Sequence, residues 1–326
     1  MPGQIVTANT LTAGIRSDFA DAYKSAYNAS KERLSNVMDM GIPSDKLIEL
    51  YAYFETAPFP KFWRRGDAIP RDAFESVQFN VENRDWAIRV EWHENDREDD
   101  QTRSLMQRAR DAGANFATLP ERVWFQILTA AASTELLPAI PNAPDGASMF
   151  SATDGAGDAR FGFTGGNILT GGGIGSSAAV RADAFGAMEA MRSFQDTEGQ
   201  PLWDDSVLDA GFQLVYGVEN DEVFREAFIQ SRTLDGGAAV TNILLESGLK
   251  LDLWATQRLT GADWYIFAKG APYKPVFQQI RRPLREAYSN VDNSDEARAT
   301  KIEGVQWDSR EGYGLMLPYQ CVKVNN

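Results

Sequence analysis

The sequence predicts an α+β fold, with a long helical region and one or more antiparallel sheets in separate parts of the chain. The first observation is the alternation of apolar and polar residues over 76–92 and near the C terminus, which is typical of half-buried strands. The second is the spacing of apolar residues over 101–134 and 179–194, which is typical of amphipathic helices. No internal repeat is present.

The composition is that of a folded globular protein with a substantial core. The 326 residues are 43% apolar, no run reaches the roughly 20 apolar residues that cross a bilayer, and we find no secretory signal. The single cysteine, Cys321, excludes an internal disulfide and fits a reducing compartment. A net charge of −14 repels phosphate backbones, so sequence-specific binding of nucleic acid is disfavoured.

The first 50 residues predict a helix followed by an arm or connector. Apolar side chains recur every four positions, at Ile15, Phe19, Tyr23 and Tyr27. This stripe predicts a helix over 11–27, with Thr10 or Thr12 as its cap. The polar stretch that follows, to about residue 46, is interrupted by Gly41 and Pro43 and predicts a connector.

Residues 51–70 combine aromatic side chains with three prolines and a pair of arginines. Prolines at this density exclude a helix or a central strand, so the aromatic residues cannot easily be buried locally. Such residues are enriched at protein–protein interfaces, although packing on their own domain is the alternative. The predicted intersubunit contacts are Phe54, Phe59, Phe62, Trp63, Arg64 and Arg65.

The middle of the chain predicts a strand pair, a helical spine and a glycine-rich loop. Residues 76–83 and 85–92 alternate as strands. Two helical segments over 101–134, with Pro120 in the first turn of the second, would span about 50 Å if they were collinear. The glycine-rich stretch 138–178 lacks the Walker and dinucleotide spacings, which predicts a flexible surface loop.

The last part of the chain predicts a helix near Phe224 and Phe228, a strand over 264–268, and two terminal strands. A Ser-Arg-Glu-Gly turn, residues 309–312, is expected to join the terminal strands. Cys321 would lie in the second of them as a small buried apolar residue.

The segment "EWHENDREDD", residues 91–100, holds six carboxylates and the single histidine, His93. A zinc site needs further ligands, and the pattern after His93 matches neither a zincin nor an EF-hand calcium loop. Acidic side chains are favourable at helix N-termini, where backbone N–H groups are unpaired, at about 0.3–1 kcal/mol each. We therefore expect no metal site and assign the start of the spine helix to Asp96, Glu98, Asp99 and Asp100.

No catalytic constellation is found in the sequence. A Ser–His or Cys–His pair would have to use His93, and the Gly-Ser-Ser of 175–177 is not a nucleophile elbow. We expect no enzyme activity, no cofactor and no catalytic residue. An acidic hydrolase that uses carboxylates such as Glu91 and Glu94 is the rival from a different functional class.

Several short motifs follow one another in a characteristic order along nearly the whole chain. Glu94 to Asp100 matches Arg-x-Asp-x-x-Asp-Asp except that Glu94 replaces the arginine, and Pro58, Trp63 and Gly66 precede the strands. "DGASMF" (residues 145–150), "WYIFAK" and "GYGLM" follow, although a histidine expected after the first of these is absent. This order resembles the Mu-like phage major head subunit family, whose members have the tailed-phage (Hong Kong phage-type) capsid fold.

The resemblance implies a division into an N-terminal arm (1–50), an extended β-hairpin loop (51–85), a peripheral domain with the spine helix (86–195, completed by 300–326) and an axial domain (196–299). It implies the major capsid protein of a tailed phage or prophage, assembled in the host bacterial cytoplasm and located in the virion. Expected partners are other copies in pentamers and hexamers, scaffold, portal and decoration proteins, and DNA bound without sequence specificity. No membrane is involved. An encapsulin-like nanocompartment shell is the alternative with the same fold.

Overall fold

The structure is a computed structural model that describes residues 8–54, 62–65, 68, 76–99, 104–203, 209–229, 232–235, 238–241, 250–290 and 294–326. It confirms the α+β class. The helices of the described part are α1 (Ala8–Leu34), α2 (Glu94–Asp99), α3 (Ser104–Ala117), α4 (Leu119–Leu128), α5 (Ser177–Arg192), α6 (Asp221–Phe228) and α7 (Asp295–Thr300). None of them is long and apolar enough to cross a membrane.

Thirteen strands in the described residues form four sheets. They are β1 (Met38–Pro43), β2 (Ile48–Phe54), β3 (Ser76–Glu82), β4 (Arg84–His93), β5 (Ile168–Thr170), β6 (Phe212–Gly217), β7 (Arg232–Asp235), β8 (Ala238–Thr241), β9 (Leu251–Thr256), β10 (Trp264–Ala268), β11 (Val276–Ser289), β12 (Ile302–Leu315) and β13 (Cys321–Asn325). One sheet has the order β1-β11-β12-β4 and another β5-β13-β10-β6-β9, while β2-β3 and β7-β8 are two-stranded. Most pairs are antiparallel, but β1-β11, β13-β5 and β6-β9 are parallel.

Helices α1 and α3 cover one face of the four-stranded sheet. The Phe19 ring stacks on the Trp307 ring of β12, with centroids 3.6 Å apart. Gly113 lets the two helices approach closely, because a Cβ at that position would lie 2.5 Å from the backbone oxygen of Phe19. The helix predicted over 11–27 is thus confirmed. It begins at Ala8, so the expected caps Thr10 and Thr12 lie inside it.

The five-stranded sheet is buried on both faces. Trp264, Ile266 and Ala268 of β10 pack with α5 and α6, while Tyr265 and Phe267 pack with α4. The second of these clusters continues to Val276, Tyr313 and Leu315, so it joins the two large sheets. Strand β10 therefore confirms the strand predicted over 264–268 and explains why all five of its residues are buried.

The predicted turn at 309–312 is wrong. Strand β12 runs without interruption through Ser309, Arg310, Glu311 and Gly312 and pairs with both β11 and β4. Gly312 serves close packing and not a turn, because a Cβ there would lie 2.7 Å from the backbone oxygen of Glu82. The last two strands are instead joined by residues 316–320.

Two pairings also differ from the expectation. The predicted connector contains β1, which joins the four-stranded sheet at β11 although it carries Gly41 and Pro43. Strands β3 and β4 do not pair with each other, since a single residue, Asn83, separates them. The Asn83 backbone N–H donates to the Leu47 oxygen at 2.8 Å, which fixes the change of partner at this point.

The helical spine is interrupted and ends earlier than expected. Helices α3 and α4 are separated at Thr118, and α4 ends at Leu128 instead of continuing to residue 134. The Thr129 hydroxyl donates to the Phe125 oxygen, and Ala130 adopts a left-handed backbone with φ +52°. This geometry ends the helix. The longest helix of the described chain is α1, with 27 residues.

Candidate contact surfaces

The predicted contact residues lie at the end of β2 and in the segment between β2 and β3. Its strands pair from Ile48 and Glu82 to Phe54 and Ser76. Near the base, the Tyr51 hydroxyl donates to Gln279 Oε1 at 2.8 Å, and the Tyr51 ring meets Phe277 edge-on at 4.9 Å. One face of the hairpin is thereby fixed on β11.

Exposed apolar side chains lie along β2 and just before it. Leu47, Ile48 and Leu50 retain 47%, 50% and 58% of their surface. Their cross-strand neighbours are polar, since Ile48 pairs with Glu82 and Leu50 with Asn80. The sequence analysis did not single out this strip. A signal was present, because "IELYAYF" places Ile48 and Leu50 in one strand phase and Tyr51 and Tyr53 in the other, as expected for a strand covered on both faces.

Four of the six predicted contact residues are described together, at residues 62–65. Phe62 is 86% exposed and Trp63 is 49% exposed, and Arg64 and Arg65 are exposed as well. Phe54 is placed by its backbone at the end of β2, and Phe59 lies outside the described residues. Phe62 is thus largely exposed in the single chain, and Trp63 is about half exposed.

The acidic cluster lies around the short helix α2. This helix begins at Glu94, so Asp96 is in its first turn and Asp99 is its last residue. Glu98 lies between them, and Asp100 is outside the described residues. Helix α3 is described from Ser104, and residues 100–103 between it and α2 lie outside the described residues, so the assignment of these acids to the start of the spine helix stays a prediction.

The carboxylates that an acidic hydrolase would use have structural partners. Glu91 pairs with Arg89 at 2.7 Å, and Glu94 pairs with Lys301 at 3.1 Å. His93 Nδ1 accepts a hydrogen bond from the Asn95 backbone N–H at 3.2 Å. In the described part of the chain, no group of three or more His, Cys, Asp or Glu side chains is placed to hold a metal ion.

A buried ion pair anchors the glycine-rich segment, which corrects the prediction of a flexible surface loop. Arg160 is 1% exposed and contacts both carboxylate oxygens of Asp145, at 2.7 and 3.0 Å. Its guanidinium also donates to the Met149 oxygen at 3.1 Å, and Asn167 donates to the same oxygen at 2.8 Å. Sequence reasoning missed this network, and an isolated arginine inside a glycine-rich run was its only signal.

Glu311 is a second buried ionisable residue, on the helix-covered face of β12. It is 6% exposed, and Gln278 Nε2 donates to its carboxyl group. Burial raises the pKa of Glu311 to about 7, more than the hydrogen bond from Gln278 lowers it. Cys321 is also fully buried, as predicted, and burial raises the pKa of its thiol, which disfavours the reactive thiolate.

Comparisons with known proteins give one family model that matches part of the chain, and solved structures that share its fold. The family model "Mu-like prophage major head subunit gpT" matches residues 10–153. A comparison with curated proteins finds no match.

Three solved structures illustrate the likeness in fold. The mature capsid of bacteriophage PhiM1 gives a TM-score of 0.55 at 12% identity and covers 89% of this chain and 85% of that one. The capsid of an empty GTA particle gives 0.55 at 11% identity, with 90% and 89% covered. A virus-like particle from Pyrococcus furiosus gives 0.52 at 10% identity, with 95% and 98% covered.

Proposed function

With its resemblance to the Mu-like prophage major head subunit family confirmed over residues 10–153 and its fold shared with tailed-phage capsid proteins, we propose that this chain is a major capsid protein. Many copies form the closed shell of a tailed phage or prophage head around double-stranded DNA. The role is structural and involves no turnover of a substrate. The family match carries the proposal, because the fold alone is also found in the virus-like particle from Pyrococcus furiosus.

The exposed surfaces support self-association. Phe62 and Trp63 stand beside Arg64 and Arg65, and the exposed strip of β2 lies at the base of the same hairpin. Aromatic and arginine side chains dominate interface energetics, where truncation of one central residue costs about 2 kcal/mol or more. A contact between two different surfaces of neighbouring copies generates rings, and rings linked by such loops close into a shell.

We retain the division of the chain inferred from its sequence, although each of the two large sheets takes strands from more than one of its parts. The arm is residues 1–50, the extended loop 51–85 and the axial domain 196–299; the peripheral domain is 86–195 completed by 300–326. Within it, β12 joins β4 in the four-stranded sheet beneath α3. The axial residues contribute β6, β9 and β10 to the five-stranded sheet, and β11 crosses to the other sheet.

The remaining partners follow from this role. The shell meets DNA without reading its sequence, and a net charge of −14 on each chain keeps the DNA free to be packed and released. Scaffold, portal and decoration proteins complete the head, which assembles in the host bacterial cytoplasm and ends in the virion.

The contents of the particles test this function against the nanocompartment alternative. The chain is expressed with its neighbouring genes, and particles are isolated by sedimentation and treated with nuclease. We expect shells that protect double-stranded DNA when the packaging genes are present and that carry no enzyme cargo. Shells that enclose a defined protein cargo and never protect DNA would refute the phage-head assignment.

A further inference from the structure

Helix α1 lies over a buried carboxyl group. The helix is fixed on β12 where Phe19 stacks on Trp307. Glu311 lies four residues further along β12, roughly 13 Å away. Tyr27 lies eight residues further along α1, roughly 12 Å away. The tyrosine thus comes to stand beside the carboxyl group, and Glu311 raises the pKa of Tyr27 in addition to the larger effect of burial.

The surroundings of Glu311 suit a neutral carboxyl group better than a carboxylate. Within the described residues it has no ion pair, and the neutral groups that face its carboxyl are Gln278, Tyr313 and, at 3.4 Å, Ser309. Gln278 Oε1 is buried without a hydrogen-bond partner among the described residues. If the Gln278 amide is turned over, a protonated Glu311 donates to that oxygen and leaves no buried acceptor unpaired.

Water can reach this site from one side. A cavity of about 180 Å³ opens between the base of the β2–β3 hairpin and the loop after α4, and Trp86, Ile140 and Glu311 line it. The titratable and hydrogen-bonding groups that face Glu311 from α1, β11, β12 and this cavity are Tyr23, Tyr27, Gln278, Ser309, Tyr313, Glu82 and Arg84. Glu82 and Arg84 pair with each other at 3.8 Å.

We propose that Glu311 makes the docking of helix α1 on the four-stranded sheet dependent on pH. While the carboxyl group is neutral, α1 stays seated over it. When the group ionises, it draws water from the cavity and the C-terminal half of α1 loosens, while Phe19 and Trp307 hold the N-terminal half. This inference concerns the folded single chain and holds whether or not the capsid assignment does.

The expected size follows from the two protonation equilibria. The docked pKa is about 7, against an ordinary value of 4.5 when α1 is released. Docking therefore loses stability as pH rises from about 4.5 to 7 and changes little above that range. Between pH 6 and 8.5 the released fraction should increase about tenfold.

Hydrogen exchange of the full chain tests the proposal, with peptides from residues 14–34 followed at pH 6 and 8.5 and corrected for intrinsic exchange rates. We expect protection of the C-terminal half of α1 to fall about tenfold in the unmodified chain and to stay constant in Glu311→Gln. Glu311→Met, also neutral at every pH, should behave in the same way if the glutamine variant folds poorly. Peptides from α5 report on global unfolding, and α1 should be less protected than α5 at pH 8.5 because α1 is released before the whole chain unfolds.

The matched control is Glu303→Gln, because Glu303 is 1% exposed on the same face of the same strand and binds Trp92 Nε1 at 3.2 Å. It should keep the tenfold effect. Constant protection of α1 in the unmodified chain would overturn the proposal. So would a tenfold loss that persists in both Glu311 variants, or equal protection of α1 and α5 at pH 8.5.

Discussion

Gly113→Ala is predicted to destabilise the protein although alanine is the better helix former. The glycine lies inside α3, where α3 crosses α1 above the Phe19–Trp307 stack. An added Cβ would lie 2.5 Å from the Phe19 oxygen and 3.2 Å from the Tyr23 nitrogen. Both are backbone atoms of a packed helix, so they cannot move aside as a flexible side chain can.

The magnitude follows from two opposing effects. Replacing glycine in a helix interior favours the helix by about 1 kcal/mol. Forcing an extra methyl group into a packed interface costs about 1–3 kcal/mol and occasionally more. Because the clash here is with backbone on both sides, we place the cost at the upper end. We expect a net loss of about 1–2 kcal/mol in the free energy of unfolding.

Urea unfolding followed by tryptophan fluorescence measures this loss, since Trp307 lies directly under Phe19. The matched control is Gly186→Ala in α5. A Cβ at Gly186 would meet only the Leu169 side chain, at 3.4 Å, so this variant should be as stable as the unmodified chain or slightly more stable. A Gly113→Ala variant that matches the stability of Gly186→Ala would refute the close-packing argument.

Three further predictions concern assembly, pH and the buried ion pair. Trp63→Ala should reduce the yield of shells by sedimentation while the isolated chain keeps its circular dichroism spectrum and stability, and normal shell yield would remove the interface argument. Relative to Glu311→Gln, the unmodified chain should lose about 3 kcal/mol of unfolding free energy between pH 4.5 and 8, because the Glu311 carboxyl has a pKa of about 7 in the folded chain. A difference between the two proteins that stays constant with pH in urea titrations would contradict this. Asp145→Ala leaves the buried Arg160 unpaired and should cost about 3–5 kcal/mol in urea unfolding, whereas Glu91→Ala, from an exposed pair, should cost less than about 1 kcal/mol; similar costs would show that Arg160 finds other compensation.

The sequence predicted the elements whose apolar spacing follows one face. Trp86, Ile88, Val90 and Trp92 alternate in β4 as expected, since one face of this edge strand packs on the core. Helices α1 and α5 and strand β10 were recognised for the same reason. The aromatic cluster at Phe62 and Trp63 was recognised because prolines exclude local burial, and these rings are exposed in the structure.

Other features depend on contacts that local patterns do not contain. The Ser-Arg-Glu-Gly stretch resembles a turn, yet Gly312 lies in a strand because the β2–β3 hairpin approaches it closely. The strand that contains Gly41 and Pro43 forms because it pairs in parallel with β11. That partner lies more than 200 residues away in the sequence, so the local pattern does not reveal it. Nothing in the local sequence distinguishes Arg160 and Glu311 from exposed charged residues, because only the tertiary fold buries them.

Negative-stain electron microscopy with light scattering on the untagged chain tests the central claim most directly. The chain should be studied alone and co-expressed with its neighbouring genes, so that a requirement for a scaffold does not hide assembly. The account predicts hollow polyhedral shells, with pentamers or hexamers as building units. Small monodisperse oligomers under both conditions would contradict it and would direct attention back to the carboxylates of residues 91–100.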